Sequence, residues 1–336
     1  MRDNRCGRRG FARRSGALWA LLVIVSALAV SMVASAQGTK GGSGREKDKK
    51  DGNPKYVTPR TPWGDPDLQG LWSNQTSTPL ERPTALQGKE TLTQEEAEAR
   101  EEAQRQNSEL PPPPGDPGTY NAFWREPGIA LTRTSLIVDP PDGRVPPLTA
   151  DGKARVSARQ AARKARPPAG PWENYSNWER CITRGVIKLQ SFYSASHEIF
   201  QSPGHVVILQ ELIHEARVVP LNGRPALSPA IRNWMGESRG HWEGDTLVVE
   251  TTNFNDRNPF RGSGDTLRLV ERFTRLGPDA IDYQFTVDDP RIFSRPWTVA
   301  MPMVTGGSIY EYACHEGNYS MRNMLAGPAS AEGTVR

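Results

Sequence analysis

Ile281-Asp282-Tyr283-Gln284-Phe285-Thr286-Val287-Asp288 is the stretch that decides the fold. Ile281, Tyr283, Phe285 and Val287 fall on one face of an extended segment, and Asp282, Gln284, Thr286 and Asp288 on the other. Successive side chains of a strand point to opposite faces, so strict alternation describes an antiparallel strand between a core and water.

Working outward, the same language recurs with turns between the words. Residues 199–200 lead through Ser202-Pro203-Gly204 to an apolar run at 206–212. Residues 217–221 end at Asn222-Gly223, a strong turn signal. His241-Trp242, Glu243-Gly244-Asp245 and residues 246–250 form a hairpin, and strands follow at 267–274, 297–304 and 308–314. A long meander avoids exposed edges most simply by curling into a barrel. Gly70-Leu71-Trp72 resembles the Gly-x-Trp that opens the first strand of lipocalin-type barrels. The expectation is a mainly β chain forming an antiparallel up-and-down barrel or half-barrel, lipocalin-like, with one or two peripheral helices. A β-sandwich is the alternative.

Two segments read as helices. Thr93 with Glu96 forms a capping box opening a helix near 93–108, which the proline run from Pro111 to Pro114 ends. The second, near 151–165, is basic and stops before Pro167-Pro168. One is acidic and one basic, so they either lie against each other or stand separately in solvent; exposed ion pairs contribute only about 0–1 kcal/mol each.

The start of the chain reads as an export signal. Arg2, Arg5, Arg8, Arg9, Arg13 and Arg14 precede an apolar run from Ala17 to Val33 and the small-x-small site Ala34-Ser35-Ala36. An uncleaved membrane anchor is the competing reading. Arg8-Arg9-Gly10-Phe11 also resembles a twin-arginine signal. The expected organisation is a signal peptide at 1–36, a Gly/Ser/Lys-rich linker at 37–60, one β-rich domain at 61–325 and a disordered tail at 326–336. The expected location is periplasmic or extracellular. Losing six arginines and one aspartate with the leader takes the formal charge from +4 to −1. The mature chain therefore gives no charge argument for nucleic acid or for an anionic membrane surface.

Catalytic motifs mostly fail. His-Glu pairs at His197-Glu198, His214-Glu215 and His315-Glu316 lack the second histidine of a zinc-protease helix. Gly236-Glu237-Ser238-Arg239-Gly240 matches a nucleophile elbow in letters, but a hairpin strand rather than a helix follows it. No phosphate loop or dinucleotide fingerprint is present and no cofactor is expected; no metal ligands are assigned, because a metal site would need His and carboxylate side chains converging in space, which spacing alone does not show. Cys181 and Cys314 are the only cysteines beyond the leader. A disulfide between them would contribute roughly 4–5 kcal/mol in the chain-entropy model; two inert buried thiols are the other reading.

The stretch from Pro62 to Trp72, Thr78-Pro79-Leu80-Glu81-Arg82-Pro83, the 242–249 hairpin and the 312–319 run together resemble a large uncharacterised family of exported bacterial proteins. The resemblance spans about residues 61–325. It implies export and a shared fold and carries over no catalytic residues.

What remains is a set of polar residues that interrupt apolar faces. Glu271 shares a face with Leu267, Leu269 and Phe273. Glu211, His214 and Arg217 cluster where one strand hands over to the next. In the expected last strand, Glu311 and His315 share one face, opposite Tyr310, Tyr312 and Cys314. Buried carboxylates must be paired or line a wet pocket. Structural salt bridges are the bland reading. The functional one makes His214, His315, Glu211 and Glu271 acid–base candidates, with Arg217, Tyr312 and Glu311 contacting a ligand. Two functions follow: binding a small amphipathic or aromatic molecule in the barrel, or acid–base catalysis (lyase, isomerase or hydrolase) in the same cavity.

Overall fold

The computed structural model describes residues 56–111, 114, 128–165, 175–189, 196–306, 308–317, 319 and 322. The expected signal peptide, the expected linker up to residue 55 and the expected tail lie outside these. Residues Pro54–Arg336 form one compact unit.

Its frame is a nearly closed β-barrel of nine strands. In chain order the strands are β1 Gly70–Ser73, β2 Ile137–Asp139, β3 Ser196–Ser202, β4 His205–Gln210, β5 Glu215–Pro220, β6 Glu237–Glu243, β7 Thr246–Thr252, β8 Arg268–Gly277, β9 Ala280–Asp288, β10 Trp297–Ala300 and β11 Met303–Thr305. Round the barrel the order is β5-β4-β3-β1-β11-β9-β8-β7-β6, and β5 and β6 then adjoin. This is chain order with β2 and β10 set aside, which is an up-and-down barrel rather than a sandwich. β10 and β11 lie in succession along β9, separated by Met301-Pro302; β1 flanks β11, and β2 flanks β10.

Alternation does what the 281–288 stretch requires. Ile281, Tyr283, Phe285 and Val287 are buried, and the residues between them are half-buried. Pairing in register carries that inward face round the wall: Phe285 stands opposite Glu271 and Val299, Glu271 opposite Val249, and Val249 opposite Gly240. Trp72, Phe285, Leu269, Ile281 and Ile199 are each under 2 % or at 2 % exposure. Side chains that close to zero do not face a ligand-sized space, so the middle of the barrel is core. Each such apolar residue contributes about 1.5–3 kcal/mol by leaving water.

Three expected strands change. The 206–212 run stops at Gln210, because Ile213 and His214 adopt left-handed backbone (φ 66° and 50°) and turn the chain into β5. The 297–304 run is broken at Pro302, which has no N–H for a ladder. Residues 308–314 are not a strand, so their two-face alternation does not apply.

Both helices are peripheral. Helix α1, Gln94–Glu109, opens with the Thr93–Glu96 capping box, and Arg100 ties it to Thr78 Oγ1 and the Leu131 carbonyl. Helix α2, Ala150–Lys164, packs Gly152 where a Cβ would meet the Ile292 carbonyl at 2.4 Å. Its Arg155 and Arg159 bind Asp256 on the β7–β8 connection, not the acidic helix.

β5 and β6 share no ladder hydrogen bonds. A Cβ on Gly240 of β6 would lie 2.9 Å from Val219 Cγ1 of β5 and 2.8 Å from Leu221 Cδ2. Gly240→Val is therefore expected to force this seam apart. A loss of about 1–3 kcal/mol in urea unfolding is expected, with slowed hydrogen exchange in β8–β9 retained.

Candidate functional site

Pairing directions put the starts of β3, β5, β6 and β8 and the ends of β4, β7 and β9 at one end of the barrel. The opposite end is sealed: Gln201 accepts from Leu68 N–H, Arg275 donates to the Asp67 carbonyl, and its guanidinium lies 5.4 Å from the Trp72 ring. The functional candidates gather at the first end, in three layers.

The deepest layer is Arg217, Glu271 and Tyr283. Arg217 Nη1 and Nη2 bind the two Glu271 oxygens, the second bond at 3.0 Å, and Tyr283 donates to Glu271 Oε1 at 3.0 Å. The side chains of Arg217 and Glu271 are 6 % and 1 % exposed. Burial alone would lower the Arg217 pKa, but the adjacent carboxylate outweighs it and the guanidinium is held charged. Burial, reinforced by Glu271, pushes the Tyr283 phenol well above its ordinary value. This cluster crosses the barrel from β5 to β8. Its carboxylate oxygens are all engaged, which makes it a brace.

Above it lies a polar layer. Trp72, His197, Gln210 and Glu215 stand in register across β1, β3, β4 and β5 on the inward face. Lys188 enters from the preceding segment, 7 % exposed, and its Nζ has no hydrogen-bond partner among the described residues. Burial, then the Arg184 charge, brings its pKa down to about 7 against the pull of Glu215 and Glu211. Burial raises the Glu215 carboxyl, although Thr183 donates to it at 2.7 Å.

Residues 308–317 lie over this layer as a strap. Tyr310 N–H donates to Glu211 Oε1 at 3.4 Å, and Tyr312 N–H donates to His214 Nε2. Trp178 Nε1 donates to the Tyr312 hydroxyl at 3.2 Å. Cys181 and Cys314 are at disulfide distance, their Cα atoms 5.9 Å apart.

The expected site residues thus separate. Glu211, His214 and Tyr312 meet under the strap; Arg217 and Glu271 meet in the brace. Glu311 and His315 are exposed on the strap, and Tyr310, expected to pack, is 71 % exposed. The four acid–base candidates do not converge on one cavity. Ser238 of the elbow-like motif sits in β6 with its hydroxyl 2.8 Å from Thr251 Oγ1. Among the described residues no group of three His, Cys, Asp or Glu side chains is placed to hold a metal, and no helix is long and apolar enough to cross a membrane.

The open space is the third layer. A cleft of about 800 Å³ lies between α2, residues 175–180 and the 256–259 connection, with Trp234 on its floor. A recess of about 60 Å³ beneath Val186 and Ile187 shares Trp234, Asn258 and Pro259 with it. The cleft wall is built: Arg155 and Arg159 hold Asp256 at 2.7 and 2.5 Å, Arg159 reaches the Gly262 carbonyl, and Asn177 donates to the Arg257 carbonyl. Sequence reading missed this site. Lys188, in the polar layer and not in the cleft, is a lone cation in Gly185-Val186-Ile187-Lys188-Leu189 and was the local signal that the reading passed over.

Comparison with protein-family models and with curated proteins gives no match for this chain.

Arg217→Met strands Glu271 in the core and is expected to lower the unfolding free energy by about 3–5 kcal/mol, while Arg217→Met/Glu271→Leu recovers most of it; denaturant titrations of both variants check this. Lys188 makes a second prediction. Its folded pKa lies below the unfolded 10.5, so between about pH 7 and 10.5 the unfolded chain holds the extra proton. The Lys188 contribution to stability therefore rises with pH across that window, and below it the cost of burying the charge is fully present. The stability difference between wild type and Lys188→Met should shrink from pH 7 to pH 10.5, with the variant the more stable at pH 7.

Proposed function

We propose that this chain is an exported binding protein that holds a small amphipathic or aromatic molecule at the mouth of its barrel. The observation that carries the reading is the roughly 800 Å³ cleft, of the size that small-molecule sites have, continuous with an apolar recess and floored by Trp234. The position differs from the barrel centre expected from the sequence, because core side chains occupy the centre. The paired cysteines are compatible with an oxidising compartment, and the leader-like first 36 residues support export.

The second reading is an acid–base enzyme. Lys188, near 7, beside a Glu215 pushed upward, is the kind of pair that proton transfer uses.

Incubating the purified chain with mixed small metabolites and identifying what co-elutes separates the two. An unaltered ligand, bound about tenfold or more weakly by Trp234→Ala, supports binding. Stoichiometric conversion that Lys188→Met abolishes, with the fold intact, supports the enzyme and removes the binding proposal.

A further inference from the structure

Resting on the binding reading above, the cleft also specifies the chemistry of its occupant. Its two lining carboxylates are already engaged: Asp256 by Arg155 and Arg159, and Glu179 by the Ser176 N–H at 2.7 Å. Two of its cations are not matched to them. Arg163, in the last turn of α2, and Arg257 line the cleft with guanidinium groups that make no hydrogen bond or ion pair among the described residues. Tyr175 lines the same wall.

The adjoining recess is more apolar. Val186, Ile187, Phe254, Phe260 and Leu267 wall it beside Arg184 and Asn258, and its volume is about 60 Å³. That suits a chain end or a ring edge. Trp234 belongs to both spaces and spans the distance between the unmatched donors and the apolar end.

We infer that the ligand is an amphipathic organic anion. Its carboxylate or phosphate head sits between Arg163 and Arg257, its body crosses the Trp234 ring, and its apolar end enters the recess. Guanidinium forks match both head groups, and an indole face accepts a flat or aliphatic body. Arg163 and Arg257 are exposed, so the attraction is screened by salt.

Calorimetric titration of the full mature chain with octanoate, octyl phosphate, octanol and inorganic phosphate tests this. Octanoate or octyl phosphate should bind about tenfold or more tightly than octanol and than inorganic phosphate. Their relative affinity distinguishes the two head groups. Arg163→Gln/Arg257→Gln should remove the advantage over octanol, leave octanol unchanged, and abolish the salt dependence. Octanol binding as tightly as octanoate, or octanoate unaffected by the double variant, overturns the anionic class while binding itself stands. So does failure of all four probes when a neutral metabolite is retained. If nothing is retained from the metabolite mixture, the binding reading fails with it.

Discussion

A ring of nine strands cannot be antiparallel throughout, and this parity constrains the rest of the molecule. Every hydrogen-bonded neighbour pair is antiparallel, so the one remaining neighbour pair, β5 and β6, runs in the same direction. That seam carries no ladder. It is closed by side chains instead: Val219 and Leu221 pack where Gly240 has none, and the Arg217–Glu271 pair bridges the interior from β5 to β8. A buried ion pair is weak evidence for net stability, since desolvation offsets most of its attraction. Its role here is geometric, setting which strand stands across from which. Joining two parallel neighbours needs a crossover of a dozen or more residues, and residues 221–236 supply it. That return brings Trp234 to the mouth, so the cleft exists because the seam does.

The two ends of the barrel have divided their work. One is sealed by Leu68, Gln201 and Arg275. The other collects the connections 183–189, 221–236 and 253–267 and the strap, and among the described residues Lys188 and Ser263 on these connections have buried polar atoms without a hydrogen-bond partner. Loops set on a rigid frame are where recognition is usually built. The cost is a layer of buried charge around Lys188, held by Asn74 donating to its carbonyl and Gln210 donating to the Val186 carbonyl.

Local order and closure into a barrel were legible, and the way the seam between β5 and β6 is closed was not. The 281–288 alternation and the Thr93 cap depend on neighbours in sequence, and the structure keeps both; Asn222-Gly223 follows the end of β5 but opens the long 221–236 connection, not a hairpin. Glu271 and Arg217 were conspicuous because each interrupts an apolar face, and they prove to be each other's partner. The strap misled because 308–314 alternates like a strand, while its anchors are His214, Glu211 and Cys181, about a hundred residues away or more. The cleft had no local signature at all. Arg163, Tyr175, Trp234 and Arg257 each look like ordinary surface residues, and only the barrel's connections bring them onto one wall.

The same layering bears on the order in which a molecule would meet these groups. A ligand entering the cleft reaches Arg163, Arg257 and Trp234 first. Lys188 lies behind residues 184–187, with no exposed surface at its Nζ. That intervening segment is tied at several points: Thr183 to Glu215, Val186 to Gln210, Lys188 to Asn74, and the Arg184 guanidinium 4.1 Å over the Trp178 ring. Trp178 in turn bonds Tyr312 of the strap, which the cysteines fix to the same region. Proton transfer through Lys188 would require this stitched segment to swing aside, breaking several contacts together. Occupying the cleft requires none to break. On energetic grounds, binding at the mouth therefore precedes any chemistry beneath it.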